Sequence, residues 1–158
     1  MPGGKVVFFE GILPVTQTEA GVAVVMGHEI AHAVANHSKE RLSQQILLSY
    51  GASAADLLFS QKSETTRYGI QTLYGLGAQL GVILPYSREH EFEADRLGLI
   101  FMAMAGYDPN EAVAFWERMS ANDPNAQLDF MSTHPTNAKR IANMKKVLAE
   151  AMGYYQKN

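Results

Sequence analysis

Apolar and polar positions recur at helical spacing along almost the whole chain, with one departure near its start. Lys5 to Phe9 is a β-branched and aromatic run that follows a Gly-Gly turn signal and ends near Gly11 and Pro14, which predicts a short strand. Thr16-Gln17-Thr18-Glu19 fits a capping box and opens a helix that runs to about His37. Lys39 to about Gln61 forms a second helical pattern, with Leu42, Ile46, Leu47 and Tyr50 in register. Thr65 to Leu84 favours helix but is punctuated by Gly69, Gly75, Gly77 and Gly81, so a loose helix is predicted there. Ser87 caps a helix that continues through Ala105 and is closed by Gly106. Asp108-Pro109-Asn110-Glu111 starts another, with a cap residue followed by proline at the first helical position. Asn122 to Pro135 reads as a loop, and Thr136 to about Met152 as the last helix. The fold expected is mostly α within the α+β class, a helical domain with a small N-terminal β strand or hairpin. Phe101, Met102 and Met104 read as a core stripe.

Composition narrows the class. The 158 residues are 47% hydrophobic, ample for one core, and correspond to one domain. Thirteen basic residues against sixteen acidic ones leave a net charge of -3, which argues against a nucleic-acid binder. With no cysteine, disulfide scaffolds, thiol nucleophiles and cysteine-ligated zinc modules are excluded, so any metal must be held by His, Asp or Glu. The first residues do not read as a signal peptide. Tyr68 to Pro85, the most apolar stretch, falls short of the roughly 18 near-continuous apolar residues of a membrane span.

The first long helix carries His28-Glu29-Ile30-Ala31-His32. Residues four apart lie one turn above each other, so both imidazoles project from one face and can grip one ion. Two imidazole nitrogens leave room for a third protein ligand and a water, beside which Glu29 is placed to accept a proton. A metzincin would need a glycine at position 35 and a histidine at 38, where this chain has Ala35 and Ser38. His37 lies about 140° off the ligand face of a continuous helix; it reads as a helix-end histidine at the C-terminal dipole. Glu91 and Asp95 are again one turn apart on the helix opened by Ser87. That spacing suits a carboxylate ligand followed by a carboxylate that accepts the outer N–H of a metal-bound histidine. A solvated acidic patch is the competing reading of the same run. Glu93 points about 200° away from Glu91, and His90 reads as a surface residue.

His28-Glu29-x-x-His32 followed by Glu91-Phe92-Glu93-Ala94-Asp95-Arg96-Leu97-Gly98 resembles the gluzincin family of zinc metallopeptidases that includes type I CAAX prenyl proteases, HtpX, the BepA-like envelope proteases and the Oma-type mitochondrial protease. Pro2-Gly3-Gly4-Lys5, Gly106-Tyr107-Asp108-Pro109 and Ser132-Thr133-His134-Pro135 extend the resemblance to about Arg140, and it is greatest to the soluble periplasmic BepA-like branch. The resemblance implies a zincin-type domain with one Zn2+ per chain, held by His28, His32 and Glu91. It implies Glu29 as general base, Asp95 as the group orienting a ligand histidine, and a bacterial periplasm or cell-envelope location. It also implies that His134 and Arg140 lie on the substrate side. There His134 either stabilises an oxyanion or swings onto the metal and blocks it; from the residues alone it is a loop histidine before Pro135. Arg140 equally fits pairing with a helix dipole or a surface acid.

The function expected is a zinc-dependent endopeptidase acting on misfolded or envelope proteins, with all 158 residues as one catalytic domain whose preceding segment is missing. Polypeptide substrates would add as a strand along Lys5–Phe9. The alternative is an autoinhibited or chaperone-like protein-binding module with a closed metal site; a purely structural site is a third.

Overall fold

The computed structural model of the chain describes residues 5–8, 10–78, 87–121, 134 and 138–156. These fall into two compact units, one from residues 1–37 and 86–158 and the other from residues 38–85. A 3-10 turn over Glu10–Ile12 leads into the one-turn helix α1 (Leu13–Thr16), and then α2 (Glu19–Val34), α3 (His37–Leu58), α4 (Glu64–Ala78), α5 (Arg88–Met104), α6 (Asn110–Ala121) and α7 (Ala138–Met152) follow.

The predicted strand does not form. Lys5–Phe8 adopt neither helix nor strand, Phe9 lies outside the described residues, and no strand occurs among the described residues. A single short β segment has no ladder for its N–H and C=O groups unless a second strand lies beside it, whatever its propensity. Phe8 packs instead against the helical core. The described residues are therefore all α, not α+β.

Local chemistry explains where the helices start. Thr18, not Thr16, is the N-cap of α2: its hydroxyl accepts from the Gly21 N–H at 3.0 Å, while the Thr16 hydroxyl donates to the Leu13 carbonyl at 2.9 Å. Ser87 caps α5 by accepting from the His90 N–H at 3.2 Å, and Gly106 at φ 85° follows its end. The Asp108 carboxylate accepts from the Asn110 N–H at 2.9 Å where α6 begins. The first long helix stops short of the expected His37: α2 ends at Val34, Asn36 takes φ 60°, and His37 opens α3. The glycine-rich segment is helical from Glu64 to Ala78, and the rest of that prediction lies outside the described residues, as does the 122–135 loop apart from His134.

In the first unit α5 packs against α2 on one side and α7 on another. Phe115, Trp116 and Met119 of α6, Met144 of α7, Val24 and Val25 of α2 and Leu99 and Met102 of α5 form the core. Met102 is buried as expected for a stripe, but Met104 is 67% exposed at the end of α5. In the second unit Asp56 on α3 accepts from the Arg67 guanidinium at 2.8 Å and the Gln71 amide at 3.1 Å on α4. No helix among the described residues is long and apolar enough to cross a membrane.

The α2–α5 crossing is exceptionally close. A Cβ built on Gly27 would lie 2.8 Å from the Gly98 carbonyl oxygen, and one on Gly98 would lie 2.9 Å from the His28 backbone nitrogen. Neither obstacle can rotate away, because both are backbone. Gly98→Ala should therefore destabilise the protein, since overpacking of about 1–3 kcal/mol exceeds the helix-propensity gain of about 1 kcal/mol. Gly69→Ala in α4, where a Cβ meets nothing within 4 Å, should gain the propensity alone. Urea unfolding of the two variants checks the opposite signs.

Candidate metal centre

The slim α2 helix, with Gly21, Gly27 and Ala31 buried along it, brings His28 and His32 into the interior. Both rings are 2% exposed. Across the glycine crossing, α5 presents Glu91 and Asp95 from one face, and both are buried. His134 enters from the segment before α7, and Arg140 from the first turn of α7; these too are buried.

Donor atoms of His28, His32, Glu91 and His134 all lie within 4.8 Å of one another. His28 Nε2 is 3.1 Å from His32 Nε2 and 3.2 Å from His134 Nδ1. Glu91 Oε1 lies 3.0 Å from His134 Nδ1 and 3.3 Å from His32 Nε2, and Glu91 Oε2 is 3.5 Å from His28 Nε2. Zinc bonded to nitrogen at about 2.0–2.1 Å in a tetrahedron sets neighbouring donors about 3.4 Å apart, which is the spacing seen here. Imidazole lone pairs facing one another at this distance repel unless a proton or a cation lies between them. The donor set fits a divalent ion of the zinc class.

The remaining site residues support these donors. Asp95 Oδ1 lies 3.0 Å from His28 Nδ1, the ring nitrogen turned away from the cluster. The Arg140 guanidinium donates to both Asp95 oxygens at 2.6 and 2.8 Å and reaches Glu91 Oε2 at 2.7 Å. It also lies 4.1 Å from the centre of the Trp116 ring, and both acids it meets, Asp95 and Glu91, are buried. Glu29, the most open member, has its Oε1 3.1 Å from His134 Nε2. The structure thus brings together all seven site residues read from the sequence: His28, Glu29, His32, Glu91, Asp95, His134 and Arg140.

His37 departs from its expected place. His37 is not at a helix C-terminus; it begins α3 and its Nδ1 sits 2.9 Å from His32 Nδ1. Glu93 and His90 meet it from α5. The available signal was Asn36, a residue type that tolerates the left-handed conformation and so lets a helix restart in a new direction.

Without a metal the site holds its protons unevenly. Burial lowers the His28 pKa, but hydrogen bonds to Asp95 and Glu91 and their charge outweigh it and raise the ring to about 9. His32 goes the other way: burial, only partly offset by Glu91, lowers it to about 4. Burial raises the Glu91 carboxyl, yet hydrogen bonds from His134, His28 and His32 hold it far below the usual carboxylate range. Glu29 is also lowered, since the hydrogen bond and charge of His134 exceed the effect of burial. For Arg140 burial is outweighed by Asp95, and its pKa is raised.

A raised His28 means that the metal-free protein keeps this proton at pH 7 and must release it to bind a cation, whereas His32 is already neutral. Zinc binding at pH 7 should release about one proton, and affinity should rise about tenfold per pH unit until about pH 9. Isothermal titration in buffers of different ionisation heat measures both. Arg140→Met should cost about 3–5 kcal/mol, because it strands two buried carboxylates; denaturant unfolding reads this out.

The profile of Peptidase family M48 matches residues 1–148. Mitochondrial metalloendopeptidase OMA1 of Schizosaccharomyces pombe is 40% identical over 153 residues, covering 96% of this chain and 43% of that protein. The protein of the same name from Saccharomyces cerevisiae is 34% identical over 164 residues, covering 100% and 45%. The β-barrel assembly-enhancing protease of Escherichia coli K12 is 26% identical over 148 residues, covering 90% and 30%. No solved structure matches. The chain spans less than half the length of each of these relatives. With that match running through both helices that carry the His/Glu cluster, α2 and α5, the chain belongs to peptidase family M48.

Proposed function

We propose that this chain, read as one catalytic domain, is a zinc-dependent endopeptidase that hydrolyses peptide bonds in misfolded or membrane-associated proteins. The observation that carries the reading is the convergence of His28 Nε2, His32 Nε2 and Glu91 Oε1 from two helices, with the Glu29 carboxylate beside them. These three residues would hold the ion, which when bound supplies Lewis acidity toward a carbonyl and a water. Asp95 holds the His28 ring with its Nε2 toward the cluster. Arg140 clamps both carboxylates in place. Glu29, ionised at neutral pH, is the proton acceptor for the attacking water and the donor to the leaving amine.

His134 supports a second reading. Its Nδ1 already occupies a place in the donor cluster, and its Nε2 contacts Glu29. A fourth protein donor closes the site in the manner of an autoinhibited enzyme or a chaperone-like module. The same histidine, withdrawn by a few ångströms, would serve as an oxyanion donor.

Strand addition along Lys5–Phe9 is not carried forward, since Lys5–Phe8, the described part of that run, form no strand. For the compartment, the relatives divide between proteins named mitochondrial and a bacterial β-barrel assembly-enhancing protease. Residence in the bacterial periplasm or envelope is the finer proposal, tested by fractionating the source cell.

Glu29→Gln should retain zinc and lose about 10²–10⁴-fold in cleavage of unfolded casein. Unchanged cleavage with zinc bound would remove Glu29 from the reaction. His134→Ala separates the two readings: faster cleavage identifies a blocking histidine, slower cleavage an assisting one.

A further inference from the structure

A second line of contacts leaves His32 on the side away from the donor cluster. His32 Nδ1 is 2.9 Å from His37 Nδ1, and His37 Nε2 is 3.2 Å from Glu93 Oε2. The His37 ring is 2% exposed and stacks on His90 at 4.2 Å with 19° between the planes. The Glu93 side chain is 56% exposed.

We propose that His37 is a positioning residue for His32, the middle member of a hydrogen-bonded relay from Glu93 through His37 to the metal-facing imidazole. The inference rests on His32 being a metal ligand.

Proton placement follows from geometry. His32 turns Nε2 toward the cluster, 3.1 Å from His28 Nε2 and 3.3 Å from Glu91 Oε1. A ligating Nε2 must be free of hydrogen, so the neutral ring carries its proton on Nδ1. Two ring nitrogens 2.9 Å apart share one hydrogen, so His32 Nδ1–H donates and His37 Nδ1 accepts. His37 then carries its own proton on Nε2, where the Glu93 carboxylate accepts it. Every donor in the line points outward and the line ends on an anion. An imidazole accepts on one ring nitrogen and donates from the other across a rigid span, whereas lysine and arginine lack an acceptor. His28 needs no such intermediary, because the buried Asp95 reaches it directly.

The backbone is built for this contact. On a continuous helix residue 37 would lie about 140° around from residue 32. The turn at Ala35 and Asn36, with Asn36 at φ 60°, ends α2 and sets His37 back over the His32 ring.

Two measurements on the full chain test the relay. In the zinc-loaded wild type labelled with ¹⁵N-histidine, long-range ¹H–¹⁵N correlation should show His37 as the Nε2–H tautomer and His32 as the Nδ1–H tautomer. A Nδ1–H tautomer at His37 overturns the proposal. For zinc affinity by chelator competition, His37→Phe should lose about 10–100-fold. His37→Asn, whose side-chain oxygen falls near the lost Nδ1, should stay within about threefold of wild type, and His37→Gln, whose polar group lies further out, should not. Wild-type affinity in folded His37→Phe, or equal affinities in folded Asn and Gln variants, overturns the relay and leaves the metal centre standing. Failure of the wild type to bind zinc removes both.

Discussion

Two helix backbones touch at Gly27 and Gly98, and the distance at which they touch sets the size of the space between His28, His32 and Glu91. Side chains of fixed length can meet at one point only if their helix axes are held at the right separation. Here that separation is fixed by hard backbone contact on one side and by the packed core on the other. Trp116 joins the two conditions, lying edge-on to the His28 ring at 5.9 Å and beneath the Arg140 guanidinium at 4.1 Å.

Placing so many polar groups in an apolar interior is costly unless each has a partner. The cluster meets this demand asymmetrically. Arg140 meets Glu91 Oε2 and both Asp95 oxygens, sharing Asp95 Oδ1 with His28, while Glu91 Oε1 faces His32 and His134. What remains inward is an excess of lone pairs over protons, an environment that favours a divalent cation. Glu29 stands at the more open margin of the cluster. Stability and chemistry therefore draw on the same charges, and the Arg140 guanidinium supports the fold as much as the site.

Helix starts were legible because they are decided locally. The cap hydroxyl of Ser87 and the Asp108 carboxylate act within three residues of their own position. Thr18 displaced Thr16 as cap of α2 because α1 had already engaged the Thr16 hydroxyl, a detail of the preceding turn. The Lys5–Phe9 strand failed for the opposite reason. β structure is a property of pairs of segments, and residues 5–8 have no strand beside them among the described residues. Met104, the last residue of α5, is exposed, while Met102 and Ala103 in the same turn are buried.

By itself the sequence determined which polar side chains share a helix face: the one-turn spacings of His28 with His32 and of Glu91 with Asp95 are consequences of helical periodicity and need no neighbour. Only the tertiary structure decided how those pairs meet. The glycine crossing, the arrival of His134 as a fourth donor, the inward turn of Arg140 and the return of His37 onto His32 through a left-handed Asn36 each depend on contacts between residues distant in the chain or on a reversal of helix direction. Periodicity specifies the face a residue occupies, and packing specifies what that face is pressed against.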